Sequence, residues 1–401
     1  MIPRLIQPRL TRVAQAFPVI AITGPRQSGK STLCRETFPN KPIVVLESPG
    51  ERRRAEQDPA GFLARFPEGA ILDEVQRAPM LLSQMLEDVD RVREPARWIL
   101  TGSESLMLSQ RITQSLAGRV ALIELLPMTA MELAGFGQPP RTLAETIILG
   151  GFPGVHSPGA IPTEWFRSYV STYIERDVRH AARIADLSAF RKTVASFAAR
   201  TAQLANLSKV SNDAGVAVNT VKAWLSVLEA TYLVHPLPGW SGSERKRLAK
   251  TAKVHVADTG VAASLMGISD GKELQRHPCA GGLFETWVAN ELFRAQAIAG
   301  RHRCLSHWRD QNMVEVDLVA QVGGHVSLIE VKMTQSPEPR MLSAARRVAK
   351  ALPTWMDVRC VLVHGGEESF VDGNDRYVSW RDVGVFASEV FGPGTSVTDA
   401  G

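Results

Sequence analysis

Short apolar runs and amphipathic stretches alternate along the first third of the chain. The pattern over residues 4–17 predicts a helix, which leads into the apolar run Val19-Ile20-Ala21-Ile22, read as a strand. A glycine-rich loop follows, then a helix from about Lys30 to Thr37. Ile43–Leu46, Ala70–Glu74 ("AILDE") and Ala96–Ser103 ("ARWILTGS") are further strands, separated by helical patterns such as Leu81–Val92. Strands alternating with helices predict βαβ units and a parallel sheet. The texture changes after "IILGGFPG". From Trp165 to about Leu233 the pattern is helical, and "NLSKVSNDAGVAVNTVKAWLSVLEATYLV" sets two amphipathic helices around a turn containing Gly215, the layout of a helix-turn-helix. After the basic stretch "SGSERKRLAK" comes the strand "KVHVAD" and the helix "GGLFETWVANELFRAQ". The short strands "RCLSHWR", "MVEVDLVA" and "HVSLIEVK" follow, then a helix near Met341–Leu352 and the strand Val358–Val363. The fold class is therefore α/β. The expected divisions are a parallel-sheet domain over 1–150, a helical region over 151–250, a second α/β domain over 251–390 and a disordered tail over 391–401.

Composition narrows the function classes. With 401 residues, 44% hydrophobic and 22% charged, the chain suits a multidomain globular protein. A formal net charge of +5 admits DNA as a partner without requiring it. Cys34, Cys279, Cys304 and Cys360 form no CxxC pair, which suits a reducing compartment. Cys304 lies between His302 and His307, but no second ligand pair stands at zinc spacing. The opening "MIPRLIQPRL" lacks the apolar core of a signal peptide, and no window reaches the roughly 18 uninterrupted apolar residues of a membrane span. A cytoplasmic protein with no membrane partner is expected.

The first candidate chemistry is "GPRQSGKST", Gly24–Thr32, where Gly24, Gly29, Lys30 and Ser31 satisfy GxxxxGK[ST]. The glycines let the backbone curl through Pro25, Arg26, Gln27 and Ser28, so that N–H groups point at a phosphate, and the following helix adds partial positive charge from Lys30, Ser31 and Thr32 onward. Lys30 would reach the β- and γ-phosphates of ATP, and the Ser31 hydroxyl would take a Mg²⁺ site. Asp73 ends an apolar strand, where the metal's carboxylate belongs, and Glu74 follows directly. Thr101 and Ser103 end the fourth strand and are read either as γ-phosphate sensors or as ordinary turn residues. Arg119, in "SLAGRV", would stabilise transition-state charge in cis or in trans, or is a solvated arginine. Action in trans would need a homo-oligomer.

"GPRQSGKSTL", "AILDEVQRAP", "WILTGSESLML", "SLAGRVALIELLP" and "GGFPG" occur in this order, followed by "YIERDV", "LSVLEATYLV", "HVADTG" and "GLFETWVANEL". As a set they resemble a large prokaryotic family of AAA-type ATP-binding proteins with an uncharacterised C-terminal domain, from about residue 4 to residue 385. The resemblance implies ATP and Mg²⁺ as cofactors, a winged-helix-like middle segment and a restriction-endonuclease-like C-terminal core. In AAA-type ATPases the residue after the metal-binding aspartate polarises the attacking water, which makes Glu74 the candidate base.

In the C-terminal part, Asp317 lies on one strand, while Glu330 and Lys332 lie two residues apart on the next, across a turn at Gly323-Gly324. The set resembles the D…ExK signature of PD-(D/E)xK nucleases. Asp317 and Glu330 would hold Mg²⁺, with Lys332 orienting the attacking water. Glu285, on the helix "LFETWVANEL", matches the helical acid that often completes such sites, and Glu315 would be a neighbour. The competing reading is a solvent-facing hairpin whose charges pair with one another. In the helix-turn-helix, Ser211–Leu228 supplies the turn and recognition helix, with Asn219, Thr220 and Lys222 exposed and Trp224, Leu225 and Leu228 in the core. Arg245, Lys246, Arg247 and Lys250 add a basic footprint, while Arg176, Asp177 and Arg179 read as salt-bridging residues. The function expected is a Mg²⁺-dependent ATP-binding protein and ATPase that couples nucleotide state to a nuclease-like, DNA-acting domain. The alternative is a nucleotide-gated binding protein with an inert nuclease-like core.

Overall fold

The computed structural model describes residues 3–103, 116–135, 140–172, 184, 186–241 and 251–392. Arg176, Asp177, Arg179, Arg245, Lys246, Arg247, Lys250 and the expected tail beyond Gly392 lie outside the described residues. The chain divides into two compact units, residues 1–127 with 230–232, and residues 128–229 with 233–401. This division coincides with neither of the expected boundaries at 150 and 250. Residues 128–149 fold with the second unit, where Ala144 and Ile147 join its core, and the helical region shares that core with the C-terminal part.

The first unit holds five strands: β1 (Val19–Thr23), β2 (Ile43–Val45), β3 (Ala70–Asp73), β4 (Trp98–Gly102) and β5 (Val120–Glu124). They form one sheet in the order β2-β3-β4-β1-β5, and every ladder is parallel. The five residues of β1 are all buried, as a central strand covered on both faces requires. Helices run at Gln7–Ala14, Lys30–Thr37 and Met80–Arg91, within a few residues of the periodicity reading. Leu81, Leu82, Met85 and Val89 of the last recur at helical spacing and are all buried. Because the chain leaves β1 toward distant β2, while β4 and β5 flank β1, the carboxyl end of β1 opens beside its neighbours, the usual ligand position of such sheets.

The second unit carries β6 (Gln203–Leu204), β7 (Val234–Leu237) and β8 (Lys253–Val256) in a small antiparallel sheet ordered β6-β8-β7. A larger sheet holds β9 (Leu305–Arg309), β10 (Glu315–Val322), β11 (His325–Lys332), β12 (Asp357–His364), β13 (Phe370–Asp372) and β14 (Asp375–Ser379). Its order is β13-β14-β12-β11-β10-β9, antiparallel between β9, β10 and β11 and parallel from β11 through β12 to β14. Val322 pairs with His325 across the two-residue turn Gly323-Gly324, as expected. The helix Ala280–Ala299 is buried almost all round. Phe391, expected to open the tail, closes the helix Val383–Phe391 and is buried.

The two helices expected around Gly215 are present at Leu207–Ala214 and Val218–Ala230. Asn206 caps the first, and Gly215 ends it at φ +70. Trp224 and Leu228 are buried, while Asn219 and Lys222 are exposed and Thr220 is half-buried. Two of the motifs that carry the family resemblance meet through a structural contact. Asp258 of "HVADTG" caps the helix Thr259–Leu265 and accepts the Gly151 N–H of "GGFPG" at 2.7 Å, with Arg294 beside it at 3.3 Å.

Candidate functional site

The loop after β1 is shaped by backbone that few side chains tolerate. Gly24 lies at φ +148, Gln27 at +62 and Gly29 at +95. A Cβ on Gly24 would sit 2.1 Å from the Leu125 carbonyl oxygen, so only glycine fits there. Such turns make a concavity of N–H groups, and Gly29 places it at the start of the helix Lys30–Thr37. Lys30 is buried, and its Nζ donates to the carbonyls of Gly24 at 2.9 Å and Pro25 at 2.8 Å. Burial pulls its pKa down to about 8 against the nearby charges of Glu74 and Asp73, which hold it up. The Ser28 hydroxyl is buried without a hydrogen-bond partner among the described residues. Arg26 pairs loosely with Glu47 at 3.7 Å, and Gln27 and Thr32 face solvent.

Asp73 and the loop share the carboxyl edge of the sheet, with β4 between their strands. Ser31 Oγ donates to both Asp73 oxygens, at 3.1 and 2.9 Å. Thr101 Oγ1 bridges the neighbours, donating to Asp73 and accepting the Glu74 N–H at 3.3 Å. Glu74 itself lies at φ +60, a costly conformation for a non-glycine residue that turns it sharply off the strand end. Its Oε2 accepts from Ser103 Oγ at 3.2 Å and from Gln76 Nε2. Thr101 and Ser103 are thus tied to the two carboxylates. The donor set fits the expected groups: a hydroxyl and a carboxylate are hard oxygen ligands suited to Mg²⁺, and the curled loop with its lysine suits phosphate.

Arg119 does not join this site within its own chain. It precedes β5, whose Val120 pairs with Val19 at the start of β1, whereas the loop follows the end of β1. Four residues at about 3.3 Å each separate the two edges. Its guanidinium instead grips Asp90, at 2.6 and 2.9 Å. Two residues that the motif does not contain do support the loop. Arg4 donates to the carbonyls of Ser28 at 2.7 Å and Leu126 at 2.8 Å. Tyr232, at φ +58, donates from its hydroxyl to Thr23 Oγ1 at 2.8 Å, beside Glu124, whose pKa burial pushes up. Nothing local marks either one, and Tyr232 lies 209 positions from its partner.

In the second unit Asp317, Glu330, Lys332 and Glu285 do converge. Lys332 Nζ lies 3.1 Å from Asp317 Oδ2 and 3.0 Å from Glu330 Oε2, and Asp317 Oδ2 also accepts the Val331 N–H at 3.0 Å. The β9–β10 register shifts between Val316 and Val319, a bulge of the kind that re-aims side chains, at Asp317 itself. A residue missed from the sequence sits among these acids. Lys253, the first residue of β8, is 2% exposed, with Nζ 3.0 Å from Glu285 Oε1, 2.8 Å from Glu315 Oε1 and 3.6 Å from Asp317 Oδ1. Burial, then the Asp317 charge, raises both Glu285 and Glu330 to about 8, while Lys253 and Lys332 hold Asp317 low despite burial. Among the described residues no group of three or more His, Cys, Asp or Glu could hold a metal ion. The expected Mg²⁺ ligation by Glu285, Asp317 and Glu330 therefore meets a set of acids already taken up by ammonium groups. No helix among the described residues is long and apolar enough to cross a membrane.

Comparison with known proteins places these sites in context. Residues 16–134 match the AAA domain family. Residues 140–272 and 280–382 match two domains of unknown function, DUF8612 and DUF4143. Two uncharacterized proteins, Rv2008c of Mycobacterium tuberculosis and Mb2031c of Mycobacterium bovis, are each 30% identical over 367 residues, which is 90% of this chain and 80% of theirs. Among solved structures, the Walker-type ATPase PABY2304 of Pyrococcus abyssi is 15% identical and covers 65% of this chain and 94% of its own, at a TM-score of 0.44. The P-loop assignment rests on the AAA domain match together with the parallel sheet and the loop.

Proposed function

The chain belongs to the family of the two mycobacterial proteins, with an AAA domain at its N-terminus, and from that premise we propose that it binds ATP with Mg²⁺ and hydrolyses it. One observation carries the reading: Ser31 and Asp73 meet at the start of the helix that the phosphate loop opens, with Glu74 next in the chain. The loop N–H groups and Lys30 would hold the β- and γ-phosphates, and Ser31 and Asp73 would hold the metal. Bound Mg²⁺ would supply charge neutralisation across the phosphates. Glu74 would accept the proton of the attacking water, kept in place until then by Ser103 and Gln76. ATP turnover that depends on Mg²⁺ and is lost in Asp73→Asn is the expected result. Turnover that survives that substitution overturns the reading.

The second unit would respond to nucleotide state. We read its six-stranded sheet as restriction-endonuclease-like, supported by the antiparallel β10–β11 pair continuing into parallel β12 and by the convergence of Asp317, Glu330 and Lys332. Leu207–Ala230 is read as winged-helix-like, and DNA as the partner class it would suit. Between cutting and binding, the buried Lys253 ammonium favours binding with an inert core. Incubation with DNA and RNA in the presence of ATP and Mg²⁺ or Mn²⁺ tests this. Cleavage that vanishes in an Asp317→Ala/Lys332→Ala double variant restores the nuclease reading.

A further inference from the structure

We propose that the Lys253 ammonium is the resident cation of the Glu285–Glu315–Asp317 cluster, occupying the place a divalent metal would take in a nuclease-like core, so that the cluster binds no divalent metal. The inference deepens the inert-core reading and rests on it only for why a metal would be expected there.

The geometry leaves little room for both cations. The Lys253 Nζ already stands 2.8–3.6 Å from one oxygen of each of the three acids. A hard divalent cation bound to the same oxygens would stand about 2.0–2.6 Å from them, on top of the ammonium. The remaining acceptors are largely committed as well. Asp317 Oδ2 serves the Lys332 ammonium and the Val331 N–H, and Glu330 Oε2 serves Lys332. Glu330 Oε1 is the one buried carboxylate oxygen without a hydrogen-bond partner among the described residues, and it lies on the acid that already holds Lys332 through its other oxygen.

The two lysines differ in freedom. Lys332 is 41% exposed at its side chain and could swing out to admit a metal, whereas Lys253 is 2% exposed. Its ammonium is held by Glu285, which is 13% exposed, and by Glu315, so unlike Lys332 it is fixed within the fold. A buried lysine requires such compensation, and these acids supply it. The cluster thereby ties together β8, the helix bearing Glu285, and strands β10 and β11. One consequence is that no Mg²⁺ requirement of the protein arises at this cluster.

The test is Mn²⁺ binding by the full-length chain without nucleotide, read by electron paramagnetic resonance. An Asp73→Asn background removes the metal position at the loop. In that background no bound Mn²⁺ is expected. Adding Lys253→Met should tighten Mn²⁺ binding by at least about 100-fold, since a fixed ammonium at this range strongly opposes a dication. Adding Asp317→Asn should abolish the gain. If Lys253→Met does not fold, as its melting curve would show, the comparison with Lys253 intact still decides. Mn²⁺ bound in the Asp73→Asn chain and lost on Asp317→Asn overturns the proposal. So does a folded Lys253→Met chain that takes up no Mn²⁺. The signal reads metal binding alone, and is separable from the ATP turnover and nucleic-acid cleavage that test the proposed function.

Discussion

The phosphate loop and the Lys253 cluster use the same materials, a buried lysine and nearby carboxylates, to opposite effect. At the loop, Lys30 is satisfied by two neutral carbonyls, and Asp73 by two hydroxyls. No carboxylate oxygen stands within salt-bridge distance of Lys30 among the described contacts, so its charge remains available to an arriving anion. In the second unit the lysines bond the acids themselves, and both ammonium charges are answered within the protein. The difference separates a ligand site from a structural junction. Buried charges paired with one another hold elements together, whereas buried charges held by dipoles are poised for a ligand that brings the countercharge.

The sharpest way to break this contrast is Lys30→Ala. If the loop lysine is held for phosphate, its loss removes charge-assisted bonds to two phosphate groups, and ATP affinity should fall by about 3 kcal/mol or more, beyond 100-fold. Titration with a non-hydrolysable ATP analogue checks it, and undiminished affinity would mean that the lysine is as structural as Lys253. Next in size is Glu74→Gln. Turnover should drop by about 10²–10⁴-fold while nucleotide stays bound, the scale of a lost general base. A variant with normal hydrolysis would remove Glu74 from the chemistry and leave its carboxylate only a partner of Ser103 and Gln76.

A pH series sharpens the comparison further. Free Lys30 loses its proton near pH 8, because burial disfavours the charge. Bound phosphates would favour the charged form, so above pH 8 binding must take up a proton. ATP affinity should therefore be insensitive to this group below about pH 8 and fall by up to about tenfold per pH unit above it. Lys30→Arg, which stays charged, should flatten the curve. Stability of the nucleotide-free chain runs the other way. The unfolded lysine, near 10.5, holds more protons than the folded one between pH 8 and 10.5, so the contribution of Lys30 to stability rises with pH across that window and is constant below it.

How much of this was legible in the sequence follows from the range of the interactions. The apolar run of β1, the loop spacing and the aspartate closing "AIL" are local patterns, and the sheet, the loop and the Ser31–Asp73 pair appear where they point. Asp317, Glu330 and Lys332 were also within reach, because a two-residue hairpin fixes their register. Arg119 does not reach the loop within its own chain for a topological reason: motif order says nothing about which edge of a sheet a residue occupies, and the parallel pairing of Val120 with Val19 sends it to the far one. Lys253 failed through its surroundings. A lysine opening a strand after a basic stretch reads as solvated, and only the helix and strands that arrive later bury it. Tyr232 shares that blindness, since its partner Thr23 was passed two hundred residues earlier.

Tyr232 also yields the smallest effect. Its hydroxyl touches no phosphate; it holds Thr23, the last residue before the loop, from a backbone conformation that costs a tyrosine energy. If the ring merely fills space, Tyr232→Phe should be neutral. If the hydroxyl positions the loop, that variant and Thr23→Val should each weaken ATP binding by a few-fold, the scale of one buried neutral hydrogen bond at about 0.5–1.5 kcal/mol. The double variant then separates the alternatives. Losses shared between the two substitutions mean that the pair acts as a unit, with a coupling of about 0.5 kcal/mol or more, whereas simple addition means that each residue acts alone. A coupling seen in ATP affinity but absent from turnover at saturating ATP would assign the pair to holding the cradle and leave the chemistry to Glu74. Such a support holds the residue that leads into the loop by its side chain, while the same hydroxyl also bonds the buried Glu124 carboxyl.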